Sequence, residues 1–501
     1  MNHATHTLQF QFLTATIVCT LLACSSQGKS EDDDPPASGG AGSSAAGAGA
    51  SGTGGPRGGA GGNGGITSVS GASGGTNPLG GGMGGTATPG SGSGGGGAAG
   101  AAGGAGTDAP VDLAPLARNP KYESLAPALG EPLPAGTPGT WTYLDIAGAV
   151  SRDGSPAGFY YKVSKTGNKN LLVYLPGGGV CADNFFCNMN PPNKDASLTA
   201  ENVGTGVFNI FGPDQEAQDP NGERWQSGIF KDDPSNPVKD WNMVFIPYVT
   251  GDVFFGSKPN GTIPNVEGSF QFVGKGNMMK FLERIVPTFK DAKQVLLAGS
   301  SAGGIGALLN YTYFADAFID QKNGARVFVV NDAGPFFDDQ HLEVCMQKWY
   351  RDIYALNESL PKDCAGCFNA DGGGMTKGVL QYLEDKYPDL VLGGVVDSSQ
   401  DEIMKFFFSE GLDECSYIDN PIVGLLLYPE DRYPAALEHI LNNLVAKERI
   451  NAYIWEGDLH QNLFQTATDD RYYQMNGLDK TVAQWLATLL SGKSERVGVV
   501  K

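Results

Sequence analysis

Gly299-Ser300-Ser301-Ala302-Gly303 sets a hydroxyl between two glycines, at −2 and +2 from Ser301. The run before it, Val295-Leu296-Leu297-Ala298, reads as a buried strand, and residues 302–314 read as a helix packed close behind that strand. A serine at such a strand-to-helix turn sits in a nucleophile elbow. The turn is tight enough that its neighbours must lack bulk, its strain lifts the hydroxyl above the sheet, and the helix aims free N–H groups at developing negative charge. Register favours Ser301 as nucleophile, because Ser300 has Ala298 and Ala302 at the corresponding positions. The plainer alternative is a glycine-rich core turn whose hydroxyl pair caps the helix.

A nucleophile of this kind needs an oxyanion hole, a base and an acid. Leu175-Pro176-Gly177-Gly178-Gly179-Val180-Cys181 follows an apolar strand. Glycine allows the backbone to approach a ligand and turn its N–H groups inward. The N–H groups of Gly178 and Gly179, joined by that of Ala302, are the expected oxyanion donors. A phosphate-binding loop would instead carry a following Lys-Ser/Thr or a G-x-G-x-x-G pattern, and neither is present. Five histidines occur, and His3 and His6 lie in the N-terminal leader. In the chain order nucleophile, acid, base, the base follows a late strand. His460 fits, after the strand-like residues 452–455 and the turn Glu456-Gly457-Asp458. His439 reads as a helix-face residue, and His341 precedes the acid and opens a helix. For the acid, spacing alone leaves Asp332, Asp397 and Asp401 open.

The elements that must carry these residues alternate. Residues 159–163 and 170–175, joined by a turn, read as a hairpin entering a sheet. Residues 243–247, 294–298, 326–330 and 452–455 read as strands, with helical spacing over 274–286 and 302–314. This order predicts an α/β-hydrolase-like fold, a mostly parallel sheet with helices on both faces.

The chain has 501 residues, which divide unevenly. Residues 1–24 read as an export signal, with an apolar run too short for a membrane span, ending in Leu21-Leu22-Ala23-Cys24. That ending predicts a lipoprotein whose Cys24 is lipidated, although the leader lacks Lys or Arg and Leu22 is bulky. Residues 25–108 are mostly Gly, Ala, Ser and Thr and cannot bury enough apolar area to offset chain entropy. They read as a disordered tether preceding a single catalytic domain, 109–501. The net charge of −20 argues against nucleic acid and anionic membranes as partners. Beyond the leader lie Cys181, Cys187, Cys345, Cys364, Cys367 and Cys415, an even set that predicts up to three disulfides in an exported protein, with Cys181 and Cys187 the easiest pair. A redox or zinc reading of Cys364-Ala365-Gly366-Cys367 lacks a second CxxC and a nearby histidine.

Four segments in order, 153–160 (Asp-Gly-Ser-Pro-Ala-Gly-Phe-Tyr), the Leu-x-Gly-Gly-Gly-x-Cys loop at Leu175, Gly299 to Gly304, and 332–337 (Asp-Ala-Gly-Pro-Phe-Phe), resemble the pectin acetylesterase and Notum family. The resemblance implies a serine carboxylic ester hydrolase that removes O-acetyl groups from a polysaccharide, acting on an ester substrate without metal or organic cofactor. It implies an acid in a short Asp-x-x-Gln segment, which Asp397 to Gln400 matches, so the expected triad is Ser301, Asp397 and His460. Position agrees, since Asp397 ends an apolar run, whereas Asp401 opens the helical run 402–408 and reads as its N-cap. Pro176 and Val180 depart from the family's usual Glu and aromatic, and the neighbourhood of His460 lacks the family's flanking Cys. A Notum-like deacylase for longer acyl esters is the alternative within the class. A catalytically silent carbohydrate-binding lipoprotein is the alternative outside it.

Overall fold

The computed structural model describes residues 113–189, 223–390, 392–444, 449–464 and 470–498. The leader, Cys24 and the glycine-rich tether lie outside the described residues. Eleven strands occur among those described: β1 Trp141–Val150, β2 Pro156–Lys162, β3 Leu171–Leu175, β4 Asn242–Phe245, β5 Lys258–Ile263, β6 Val266–Phe272, β7 Gln294–Ser300, β8 Arg326–Asp332, β9 Leu392–Ser398, β10 Ile450–Trp455 and β11 Arg496–Val497. Nine of them form one sheet in the order β1-β2-β4-β3-β7-β8-β9-β10-β11, while β5 and β6 pair apart. From β4 through β3 to β11 every neighbour runs parallel, and only β1 and β2 enter antiparallel.

Alternation along the central strands assigns the two faces. Leu171, Val173, Leu175, Val295 and Leu297 join a core with Met278 and Phe281 of the helix Gly274–Thr288 and Phe314 of the helix Ala302–Ile319. Their neighbours Leu172, Tyr174, Leu296 and Ala298 join a second core with Trp485, Leu486 and Leu489 of the helix Val482–Leu490. Strands buried on both sides must be apolar throughout, which explains the continuous Leu-Leu-Val-Tyr-Leu of β3. The expected layering, a mostly parallel sheet with helices on both faces, is therefore the observed one.

The expected hairpin of residues 159–163 with 170–175 does not form. β2 pairs antiparallel with β4, and β4 lies between β2 and β3. β3 is apolar enough to be buried on both faces, so it takes a central position between two parallel partners, β4 and β7.

Three disulfides join Cys181 to Cys187, Cys345 to Cys415 and Cys364 to Cys367. The first closes the loop that follows the glycine run, and the second ties the helix Val344–Tyr354 to a segment seventy residues on. Between these two staples the buried carboxyls of Asp183 and Glu410 meet. Asp183 also starts the short helix Asn184–Met189 by accepting the Phe186 N–H at 2.9 Å. Burial pushes Asp183 up to about 6 and holds Glu410 well above its usual range, with the nearby Asp419 carboxylate adding to both.

An acid whose pKa is raised by folding binds its proton more tightly in the folded chain. Its contribution to stability is complete at low pH and is lost as pH rises through the folded value. The thermal midpoint should therefore fall as pH climbs from 5 to 8. Glu410→Gln supplies a neutral partner at every pH and should reduce that fall by a few degrees, on the order of one pKa unit of linkage. Parallel midpoint–pH curves for the two proteins would refute this assignment.

Candidate active site

Ser301 lies between β7 and the helix Ala302–Ile319 with φ 56° and ψ −126°, in the left-handed half of backbone space. A non-glycine residue held there stores about 1–3 kcal/mol of strain. Neighbouring backbone enforces the conformation. The Ser301 N–H donates to the Asp332 carbonyl at 2.7 Å, and its carbonyl accepts the N–H groups of Gly304 and Ile305. A Cβ at Gly303 would stand 2.0 Å from the Leu175 carbonyl oxygen, and one at Gly299 would stand 2.1 Å from that of Gly303. These two glycines let the elbow press on the end of β3.

The side chain of Ser301 makes no capping hydrogen bond to its helix, so the helix-cap alternative does not account for it. The Ser300 hydroxyl is engaged elsewhere, 2.5 Å from both the Tyr174 hydroxyl and the Asp332 carboxylate, and it is fully buried. The glycine loop reaches the same point. A Cβ on Gly177 would lie 2.6 Å from Ser301 Cβ and 2.8 Å from the Gln461 side-chain nitrogen. The loop, the elbow and the segment carrying His460 therefore meet at Gly177. Gly178 and Gly179 have φ of 157° and 72°, values open to glycine, and Gly179, Ser301 and Ala302 line one cavity.

His460 follows β10, as the sequence suggests. Its Nδ1 lies 2.7 Å from the Asp401 carboxylate, not from Asp397. A carboxylate only accepts, so Nδ1 carries the proton and Nε2 is the basic nitrogen of the neutral ring. The two loops are zipped together: the N–H groups of Ser399, Gln400 and Glu402 donate to the carbonyls of Trp455, Gly457 and Asp458. Asp401 is fully buried, and its other oxygen accepts the Met404 N–H at 2.9 Å, capping the helix Glu402–Phe408.

The geometry sets Asp401, and not the expected Asp397, against the His460 ring. Asp397 still lies inside β9, opposite Ile454 of β10. Its carboxyl accepts the Ser398 N–H and, at 2.8 Å, the Tyr433 hydroxyl. Burial, and then the neighbouring Asp401 charge, hold it well above the ordinary carboxylate range. The strand runs past Asp397, and the loop beyond it delivers the next aspartate to the histidine. His439 ends the helix Arg432–His439 and lies 3.0 Å from Asp338, with the His341 ring 5.2 Å away. Both belong to a separate cluster.

Spacing did not reveal the cavity beside Ser301. It opens to solvent, and its walls are almost wholly apolar, among them Val180, Ile305, Phe336, Met404, Phe407 and Phe408. These residues come from segments far apart in the chain, and only the fold assembles them.

A family model described as Pectinacetylesterase matches residues 137–384. The matched span includes the glycine loop, the elbow and Asp332 and ends before Asp401 and His460, so their pairing rests on geometry alone. The palmitoleoyl-protein carboxylesterase notum1 of Xenopus laevis is 32% identical over 192 residues, covering 38% of this chain and 35% of that protein. Pectin acetylesterase 5 of Arabidopsis thaliana is 30% identical over 226 residues, covering 43% of this chain and 47% of that protein. The Wnt deacylase Notum from Drosophila shares the fold, with a TM-score of 0.51 at 21% identity over 72% of this chain and 96% of that one. Over residues 137–384 the chain is similar to the pectin acetylesterase and Notum family. It spans less than half the length of either curated relative described above. Val180, where this chain departs from the family's usual aromatic, lies in the wall of the apolar cavity.

The proton between His460 and Asp401 should give a far-downfield imidazole N–H resonance. It is expected to vanish in Asp401→Asn and persist in Asp397→Asn. The opposite pattern would return Asp397 to the histidine.

Proposed function

We propose that this chain is a serine carboxylic ester hydrolase with Ser301 as nucleophile, His460 as base and Asp401 as the acid that orients it. The observation that carries the reading is the strained serine, packed against the glycine loop and the base-bearing segment and opening on one cavity. In the first step His460 Nε2 takes the Ser301 proton and Oγ attacks the ester carbonyl. The N–H groups of Gly178, Gly179 and Ala302 stabilise the oxyanion, each contributing about 3–4 kcal/mol if it behaves as such donors do elsewhere. Asp401 stabilises the imidazolium without taking its proton. His460 then protonates the leaving alcohol, and water, activated by the same ring, releases the acid. A silent binding module has no use for a strained serine and a carboxylate-held histidine.

Kinship with pectin acetylesterases supports O-acetyl groups on a polysaccharide as substrate. The cavity favours a second reading within the same chemistry, a longer acyl group. Its walls are almost wholly apolar and suit methylenes beyond an acetyl methyl, each of which contributes about 0.8 kcal/mol when buried. Three disulfides fit an oxidising compartment outside the cytoplasm. No helix among the described residues is long and apolar enough to cross a membrane. Attachment through a lipidated Cys24 is part of the same proposal.

Ser301→Ala should remove hydrolysis of a chromogenic acetate ester by roughly six orders of magnitude. Asp401→Asn should cost about three to four orders. Ser300→Ala and Asp397→Asn should stay within about tenfold, since each alters a buried hydrogen bond rather than the reacting atoms. Full activity in Ser301→Ala would sink the proposal.

Across acetate, butyrate, hexanoate and octanoate esters, kcat/KM should rise, by at most about fourfold per methylene. A maximum at acetate, with acetate released from acetylated pectin, would favour the polysaccharide reading over the longer acyl group.

A further inference from the structure

Asp332 ends β8 and is fully buried. Its carboxylate accepts from both halves of the site. From the segment after the base come the Asn462 N–H at 2.8 and 3.0 Å, the Asn462 side-chain amide at 3.1 Å and the Leu463 N–H at 2.9 Å. From the elbow comes the Ser300 hydroxyl at 2.5 Å, itself backed by Tyr174. The backbone carbonyl of Asp332 also takes the Ser301 N–H at 2.7 Å.

We propose that Asp332 is a positioning residue that fixes the separation of Ser301 and His460 by clamping the residue before the nucleophile to the two residues that follow Gln461. The inference rests on the serine hydrolase reading above. The base segment leaves β10 and takes a left-handed step at Gln461, φ 64°. Two aspartates on neighbouring segments then hold it: Asp401 grips the ring, and Asp332 grips the backbone just beyond the ring. Only a carboxylate suits the second task. Four donors converge on two oxygens, and an ionised carboxylate is acceptor-only. An amide there would turn an NH₂ group toward donors and leave buried N–H groups unpaired. The residue and its elbow partners lie in the family-matched span, but Asn462 and Leu463 lie beyond it.

A shift of about 1 Å between reacting groups can cost on the order of a hundredfold in rate. In the full-length protein, Asp332→Asn should lower kcat for a chromogenic acetate ester by about 10- to 100-fold, per site titrated with a serine-directed phosphonate. KM should stay within about twofold, because Asp332 does not line the acyl cavity. The acid limb of the pH profile should not move, because the Asp401–His460 pair is intact. A lower melting midpoint with unchanged kcat per titrated site would overturn the proposal and leave Asp332 a structural residue. If Asp332→Asn does not fold, the double variant Ser300→Ala/Asn462→Ala removes one anchor on each side and keeps the carboxylate. It should lose several-fold in kcat at constant KM, and wild-type kcat per site would again overturn the proposal. Failure of the phosphonate to label Ser301 in the wild-type chain would reject the hydrolase reading itself, which the titration reports separately.

Discussion

A serine with positive φ at the mouth of a helix is held here by close-packed backbone around it. The Leu175 carbonyl blocks any side chain at position 303, and the Gly303 carbonyl blocks one at 299. The Ser301 carbonyl stands 2.2 Å from where a Cβ of Gly334 would be. The elbow is thus wedged between the ends of β3 and β8, and the cavity, the glycine loop and the base segment are arranged around that wedge. Local strain of this kind persists only when the surroundings over-determine it. Here they do so with three neighbouring strands, β3, β7 and β8, whose parallel register brings their ends to one edge.

Three aspartates, Asp332, Asp397 and Asp401, are fully buried near that edge, and their partners differentiate them. Burial pushes the Asp332 carboxyl up, and the donors from two segments that surround it oppose that push. Asp401 has a backbone N–H on one oxygen and an imidazole on the other. Asp397 has a tyrosine hydroxyl and the N–H of the next residue, and the Asp401 charge beside it opposes its ionisation. Donors offset burial less well at Asp397 than at Asp332, and Asp397 is driven furthest toward its neutral form.

Much of this was legible in the sequence, for identifiable reasons. The turn at Ser301, the glycine loop at Gly178 and Gly179 and the position of His460 after a late strand are legible because a tight turn and a close backbone approach demand glycine at fixed offsets, and because few histidines compete. The strands at 294–298 and 326–330 were readable because buried parallel strands are apolar throughout. The hairpin of residues 159–163 with 170–175 was misread because β4, which separates them, comes more than sixty residues later. The contact of Asp401 with His460 is not legible in the sequence, because a helix-capping role accounts for Asp401 there, whereas a carboxylate has an oxygen for the helix and another for the ring. The cavity was invisible because Val180, Phe336 and Phe408 have no common pattern in the chain.

The two oxygens of Asp401 couple the cavity to the histidine. One oxygen sets the first turn of the helix Glu402–Phe408, and that helix supplies Met404, Phe407 and Phe408 to the cavity wall. The other sets the tilt of the imidazole. Rotating or shifting the helix to admit a different guest would turn the histidine with it. Exchanging side chains on a stationary helix, or at walls with no such tether, such as Val180 and Phe336, would reshape the cavity and leave the ring where it is.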